Sequence, residues 1–175
     1  MARLKFIALL ILIISESKAQ SSAPCNCGAL IDVDFKDKIL LYDKPNGKLI
    51  QAFQHDFENE NFLILTIDRD SLDFFHVVIQ NALTAKSSRT GWIKKVKVIG
   101  TYARNYEQND TLHLYTKPDI KSKVQSYIPN WTNNIYSITK CFGNWAYVRI
   151  EYNGQTKEGW LQPDKQCDDP YTTCN

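Results

Sequence analysis

The most reactive side chains in this sequence belong to five cysteines, Cys25, Cys27, Cys141, Cys167 and Cys174, and three histidines, His55, His76 and His113. Their spacing decides which chemistry they can support. A thiolate metal site needs CxxC-like pairs or histidines close by, and the chain has neither. Cys141 could act as a nucleophile only if unpaired and near a base, and no serine or cysteine shares a motif with a histidine. There is no nucleotide-binding loop and no metal signature, so no cofactor and no enzymatic activity are expected. Disulfide formation is the remaining reading. Cys25 and Cys27 are too close for an easy mutual bridge. We therefore expect Cys141 to pair with Cys167, and one of the N-terminal pair, taken as Cys25, to pair with Cys174. The odd number leaves one cysteine as a thiol or joined to another molecule.

Ring faces supply the second kind of candidate chemistry. Residues 143–161 read GNWAYVRIEYNGQTKEGWL. Trp145, Tyr147 and Arg149 alternate with Ala146, Val148 and Ile150, and a strand sends the two sets to opposite sides. The small and branched set suits a core. That leaves Trp145, Tyr147 and Arg149 as a partly exposed aromatic–cationic strip of the kind that meets peptide or sugar faces. Trp131 lies in the loop-like IPNWTNN with no periodic core position, which makes it a further binding candidate. Trp92 and Trp160 each follow a glycine at the head of a closing strand, and both are expected to pack into the body of the fold.

The elements that must position these residues follow a leader. Arg3 and Lys5 precede the nine-residue apolar run FIALLILII (Phe6–Ile14), and a polar SESKAQ follows. This is the pattern of a secretory signal peptide over 1–20, cleaved near Gln20, and the run is short for a bilayer span. The expected location is secreted or periplasmic, without stable membrane insertion. Lys18 joins Arg3 and Lys5 against Glu16, so the leader carries the whole net charge of +2. A neutral remainder has no global field to draw it to nucleic acid.

Beyond the leader the chain repeats itself. ILLYDKP (39–45) returns as LHLYTKP (112–118), and GWI (91–93) returns in the same order as GWL (159–161). Within each copy the pattern is β: KILLYDKPNGKLIQAF is strand, turn and strand, and NFLILTI and DFFHVVI are rich in branched and aromatic residues. NALTAKSSRTGW is expected to be a long turn, TYARNYEQND (101–110) a linker, and YNGQ a hairpin turn. The fold class is all-β. Short strands in units of this size suit two small, strongly bent barrels in tandem, over 28–100 and 108–168, with a C-terminal tail at 169–175.

The second unit resembles the bacterial SH3-type (SH3b) domain through Leu114, Tyr115 and Pro118, then Gly143, Trp145 and Val148, then Gly154, Gly159 and Trp160. The first unit is similar at Leu41, Tyr42, Pro45, Gly91 and Trp92. It departs where Phe74-Phe75-His76-Val77 replaces the tryptophan strand. The resemblance implies a non-catalytic binding or accessory module, with Tyr42 and Tyr115 where SH3-like folds often present a groove tyrosine. Trp131, Trp145, Tyr147, Arg149 and Tyr115 are the expected ligand contacts, and the implied partner is peptide or peptidoglycan. The alternative is a protein-interaction subunit such as an inhibitor, an immunity protein or an envelope assembly factor.

Overall fold

A computed structural model describes residues 23–104 and 109–172. The expected leader, part of the expected linker, Cys174 and the end of the tail lie outside the described residues. The thirteen strands are β1 (Ala23–Ile31), β2 (Ile39–Tyr42), β3 (Leu49–Phe53), β4 (Leu63–Asp70), β5 (Phe74–Asn81), β6 (Thr84–Lys94), β7 (Ile99–Ala103), β8 (Leu112–Tyr115), β9 (Val124–Ile128), β10 (Tyr136–Phe142), β11 (Trp145–Tyr152), β12 (Gln155–Leu161) and β13 (Gln166–Cys167). Among the described residues the only helical elements are two 3-10 turns, Phe57–Asn59 and Pro163–Lys165. The chain is all-β.

The strands form one antiparallel sheet in the order β3-β2-β6-β5-β4-β1-β7-β10-β11-β12-β8-β9, with β13 added beside β7. The order of five strands on one flank, β3-β2-β6-β5-β4, is matched on the other by β9-β8-β12-β11-β10. Register irregularities also fall at matching points: between Leu41 and Tyr42 and between Leu114 and Tyr115, and again between Ile67 and Arg69 and between Ile138 and Lys140. In each flank the tryptophan of the Gly-Trp pair lies opposite the tyrosine of the Leu-Tyr pair, with Trp92 facing Tyr42 and Trp160 facing Tyr115. The glycines are required by this approach. A Cβ on Gly91 would stand 2.7 Å from the Tyr42 carbonyl oxygen, and one on Gly159 would stand 2.8 Å from Leu114 Cβ.

Two expected loops are strands. NALTAKSSRTGW is a turn only at Ala82-Leu83, after which β6 runs from Thr84. The expected linker begins inside β7, which pairs with β1, β10 and β13. Strands β1 and β7 occupy the middle of the sheet. Ala29, Leu30 and Ile31 of β1 and Ile99 and Thr101 of β7 are fully buried, the mark of strands covered on both faces. Thr101 Oγ1 donates to the Cys167 carbonyl and accepts from the Cys167 N–H, both at 2.8 Å, which fixes β13 against β7.

The expected Cys141–Cys167 bridge is replaced by Cys27–Cys141, with Cα atoms 6.6 Å apart. The cause is topological: β1 is inserted between β4 and β7, which brings its Cys27 beside the end of β10. Cys167 is disulfide-bonded elsewhere. Two further bonds grip the same stretch of β10. Lys95 Nζ donates to the Thr139 carbonyl at 2.9 Å, and Asp70 accepts the Cys141 N–H at 2.8 Å. Lys95 and Asp70 are themselves ion-paired at 2.5 Å, with side chains 17% and 11% exposed. Leaving one member of such a pair buried alone costs far more than removing both. Asp70→Ala should lower the unfolding free energy by about 3–5 kcal/mol, and Asp70→Ala with Lys95→Met by clearly less. Urea unfolding of the two variants beside the wild type checks this.

Candidate functional site

Strand geometry builds the site. On β11, Ala146, Val148 and Ile150 are buried in the core, so Trp145, Tyr147 and Arg149 stand on the outer face. On β12, Gly159 and Leu161 point inward, which turns Trp160 outward as well. Pairing then aligns Tyr115, Trp160, Tyr147 and Lys140 side by side across β8, β12, β11 and β10. The rings meet edge to face: Tyr115 and Trp145 at 5.9 Å between centroids, Tyr147 and Trp160 at 5.4 Å. Lys140 Nζ lies 5.1 Å from the Tyr147 ring centre.

The rim of this ring row is polar. Gln125 Nε2 donates to the Tyr147 hydroxyl at 2.9 Å, and that hydroxyl donates to Glu158 Oε1 at 3.2 Å. Arg149 holds the other Glu158 oxygen with two N–H groups at 3.0 and 2.7 Å. The guanidinium keeps the Glu158 carboxyl below the usual carboxylate range, and burial pushes the Tyr147 phenol up. The row therefore offers half-buried ring surface edged by donors and acceptors whose geometry is already fixed.

Of the expected ligand contacts, the structure gathers Tyr115, Trp145, Tyr147 and Arg149 and leaves Trp131 apart. Trp131 rests against the core and lines a separate hollow of about 270 Å³ with Tyr102, Pro170 and Tyr171. Trp160 and Trp92 were expected inside the fold, and both are half-buried on the outer face. A larger cleft of about 1110 Å³ opens where the flanks meet, between Asp32–Asp34, Lys95–Lys97 and the outer side of β10 and β11. Arg149 borders both the ring row and this cleft.

The reactive residues take structural positions. Cys141 is bound to Cys27, which removes it as a nucleophile. The Cys25 thiol lies 3.5 Å from the Cys141 carbonyl, and burial, with the nearby Asp70 and Asp68 carboxylates, pushes it up to about 12. A thiol held that high carries almost no thiolate at neutral pH. Among the described residues no group of three or more His, Cys, Asp or Glu is placed to hold a metal ion, and no helix is long and apolar enough to cross a membrane. His55 is buried between two backbone groups: Nε2 donates to the Asp32 carbonyl and Nδ1 accepts the Leu63 N–H, each at 3.0 Å. The Nδ1 bond needs the neutral ring, whereas Nε2 donates in either protonation state.

Neither a protein-family model nor a curated protein matches the chain. Among solved structures, NlpC1 from Trichomonas vaginalis is similar at 16% identity and a TM-score of 0.32, over 91% of this chain. The chain spans only 50% of that protein. Likeness at that level does not establish a shared fold.

Two outcomes follow from these positions. Trp160→Ala, on the outer face, should cost about 1 kcal/mol of stability, whereas Leu161→Ala in the core should cost about 2–5 kcal/mol. Chemical denaturation of the pair measures the difference. Burial lowers the His55 pKa below 6.5 in the folded state. Its stabilising contribution is thus complete above pH 6.5 and declines as pH falls below that value. Thermal melts between pH 7.5 and pH 5 should show this slope in the wild type and a shallower one in His55→Asn.

Proposed function

We propose that the chain is a non-catalytic, secreted or periplasmic binding protein of two SH3b-like barrels, and that the second barrel recognises cell-wall peptidoglycan. The observation that carries the reading is the row formed by Tyr115, Trp145, Tyr147 and Trp160 with the Arg149–Glu158 pair at its rim. Rings of this size are costly to hold against water. Four on one outer face, edged by oriented donors and acceptors, fit a ligand with an apolar face and a hydroxyl- or amide-bearing edge. A glycan strand carrying short peptides has both.

The two-barrel reading is supported by the matching strand orders, by the matching irregularities, and by a tryptophan opposite a tyrosine at the same point of each flank. The Cys27–Cys141 disulfide supports an oxidising compartment.

A second reading, a protein-interaction subunit, draws on the open edge strand β3, where Leu49 and Ile50 are 55% and 50% exposed. An edge strand with apolar side chains is a template for another chain.

Co-sedimentation with purified, protein-free peptidoglycan separates the readings. The wild type should sediment with the polymer. Trp145→Ala and Trp160→Ala should each weaken binding at least tenfold, which is the ~1.4 kcal/mol expected for losing one anchoring ring. Trp131→Ala should bind as the wild type does. Absence of wild-type binding, or equal binding by the ring variants and the wild type, refutes the cell-wall reading.

A further inference from the structure

The first flank carries a counterpart of the ring row. Pairing aligns Tyr42, Trp92, His76 and Arg69 across β2, β6, β5 and β4, matching Tyr115, Trp160, Tyr147 and Lys140 strand for strand. Phe74 precedes His76 by two residues, as Trp145 precedes Tyr147, so Phe74 stands where Trp145 stands, but Phe74 and His76 are buried where Trp145 and Tyr147 are half-buried. The ring contacts repeat: Tyr42 meets Phe74 edge to face at 6.2 Å, and His76 meets Trp92 at 5.0 Å. The polar rim repeats in kind. Arg69 lies 5.5 Å over the Trp92 ring and 3.7 Å from Asp68, and Asp68 accepts a 2.5 Å hydrogen bond from His76 Nδ1. The Arg69 and Asp68 side chains are 47% and 43% exposed, close to the 53% and 34% of Arg149 and Glu158.

Both rows also lie on one face of one continuous sheet. Paired residues on neighbouring strands share a face, as do residues two apart on one strand. His76 shares its face with Gln80, Gln80 pairs with Ile64, Ile64 with Leu30 and Leu30 with Gly100. Gly100 pairs with Ser137 and Ser137 with Arg149, which shares the face of Tyr147. The strands between the rows are clamped by the Cys27–Cys141 bond and the Asp70–Lys95 pair, so the spacing of the rows is fixed.

We propose that Tyr42 and Trp92, with Arg69 and Asp68 at their rim and the buried Phe74 and His76 rings packed against them, form a second binding site of the same ligand class as the second-flank row. The protein then engages a polymer that repeats its recognised unit at two points at once. The inference rests on the peptidoglycan reading of the second row and goes beyond it by assigning a site to the first flank. The Arg69 guanidinium over Trp92 faces the ligand's acceptor groups, and the Asp68 carboxylate accepts from its hydroxyl or amide groups. Two sites at fixed spacing make the second contact intramolecular, so retention on polymer exceeds what either site gives alone.

Two measurements on the full chain test this. The probes are a soluble disaccharide-peptide released from purified peptidoglycan and the intact polymer. Calorimetry with the soluble fragment should give two sites for the wild type, one for Trp92→Ala and one for Trp160→Ala. Retention on intact polymer should fall more than tenfold in either variant. Arg69→Met should weaken the first-flank site while leaving the second unchanged. Trp92→Phe, which keeps a ring, should retain two sites, and its unfolding midpoint controls for misfolding. If Trp92→Ala leaves site number and polymer retention at wild-type values while Trp160→Ala lowers both, the inference is overturned and the second-row reading stands. If only Trp92→Ala lowers them, the second-row reading fails and the two-site inference that rests on it is overturned with it. A wild type that binds neither probe overturns both.

Discussion

Strand β10 deviates from regular pairing between Ile138 and Lys140, the stretch that carries the Thr139 carbonyl. Lys95 reaches it from the first flank, lying against the Phe75 ring at 4.5 Å with little access to water. An ammonium in such a place must be neutralised, and Asp70 does so while its second oxygen takes the Cys141 N–H. The Cys141 side chain is in turn bonded to Cys27 of β1. Thr139 and Cys141 of the second flank are therefore gripped by charge-assisted hydrogen bonds from the first flank's Lys95–Asp70 pair and by a covalent link to β1. The central pairing of β1 with β7 and of β7 with β10 completes the joint. The relation between the flanks, and so between their outer faces, depends on this clamp.

The outward rings have a simple cause in the size of each flank. Each five-stranded flank is small, and the core it contributes to is filled largely by Leu, Ile, Val and Ala, such as Leu41, Val77, Ile79 and Ile93 from one flank and Leu114, Ala146, Val148 and Leu161 from the other. Few large rings fit there; Phe75 and Tyr136 are among those that do. Tyr42, Trp92, Tyr115, Trp145, Tyr147 and Trp160 are turned outside, where they pack edge to face against neighbouring rings and cover part of the outer side of the sheet. A surface built this way stabilises the fold and presents ring faces and a polar rim at the same time.

Much of the fold was legible because alternation in the sequence fixes strand faces. The inward set Ala146, Val148 and Ile150 gave the outward position of Trp145, Tyr147 and Arg149. The same parity rule, applied to Leu161, turns Trp160 outward; reading Gly-Trp as a packing landmark concealed this. The sequence sets Phe74-Phe75-His76-Val77 in the place of the tryptophan strand, and pairing register makes the match residue by residue, with Val77 and Ile79 answering Val148 and Ile150. The Ala82-Leu83 turn lacks glycine, proline or asparagine at its centre, so nothing local distinguished β6 from a loop. Cysteine pairing was out of reach for another reason. It is set by the insertion of β1 between β4 and β7, a contact of high sequence separation that no spacing encodes.

The clamp makes a demand on the unfolding reaction. If it joins the flanks into one body, neither can unfold while the other remains native. Two variants, each keeping a single tryptophan with the other three replaced by Phe, report the flanks separately: Trp92 for the first and Trp160 for the second. Urea unfolding of the oxidised protein, followed by fluorescence in each, should give superimposable transitions with one midpoint. Separate midpoints for the Trp92 and Trp160 reporters, with the Cys27–Cys141 bond intact, would contradict the account.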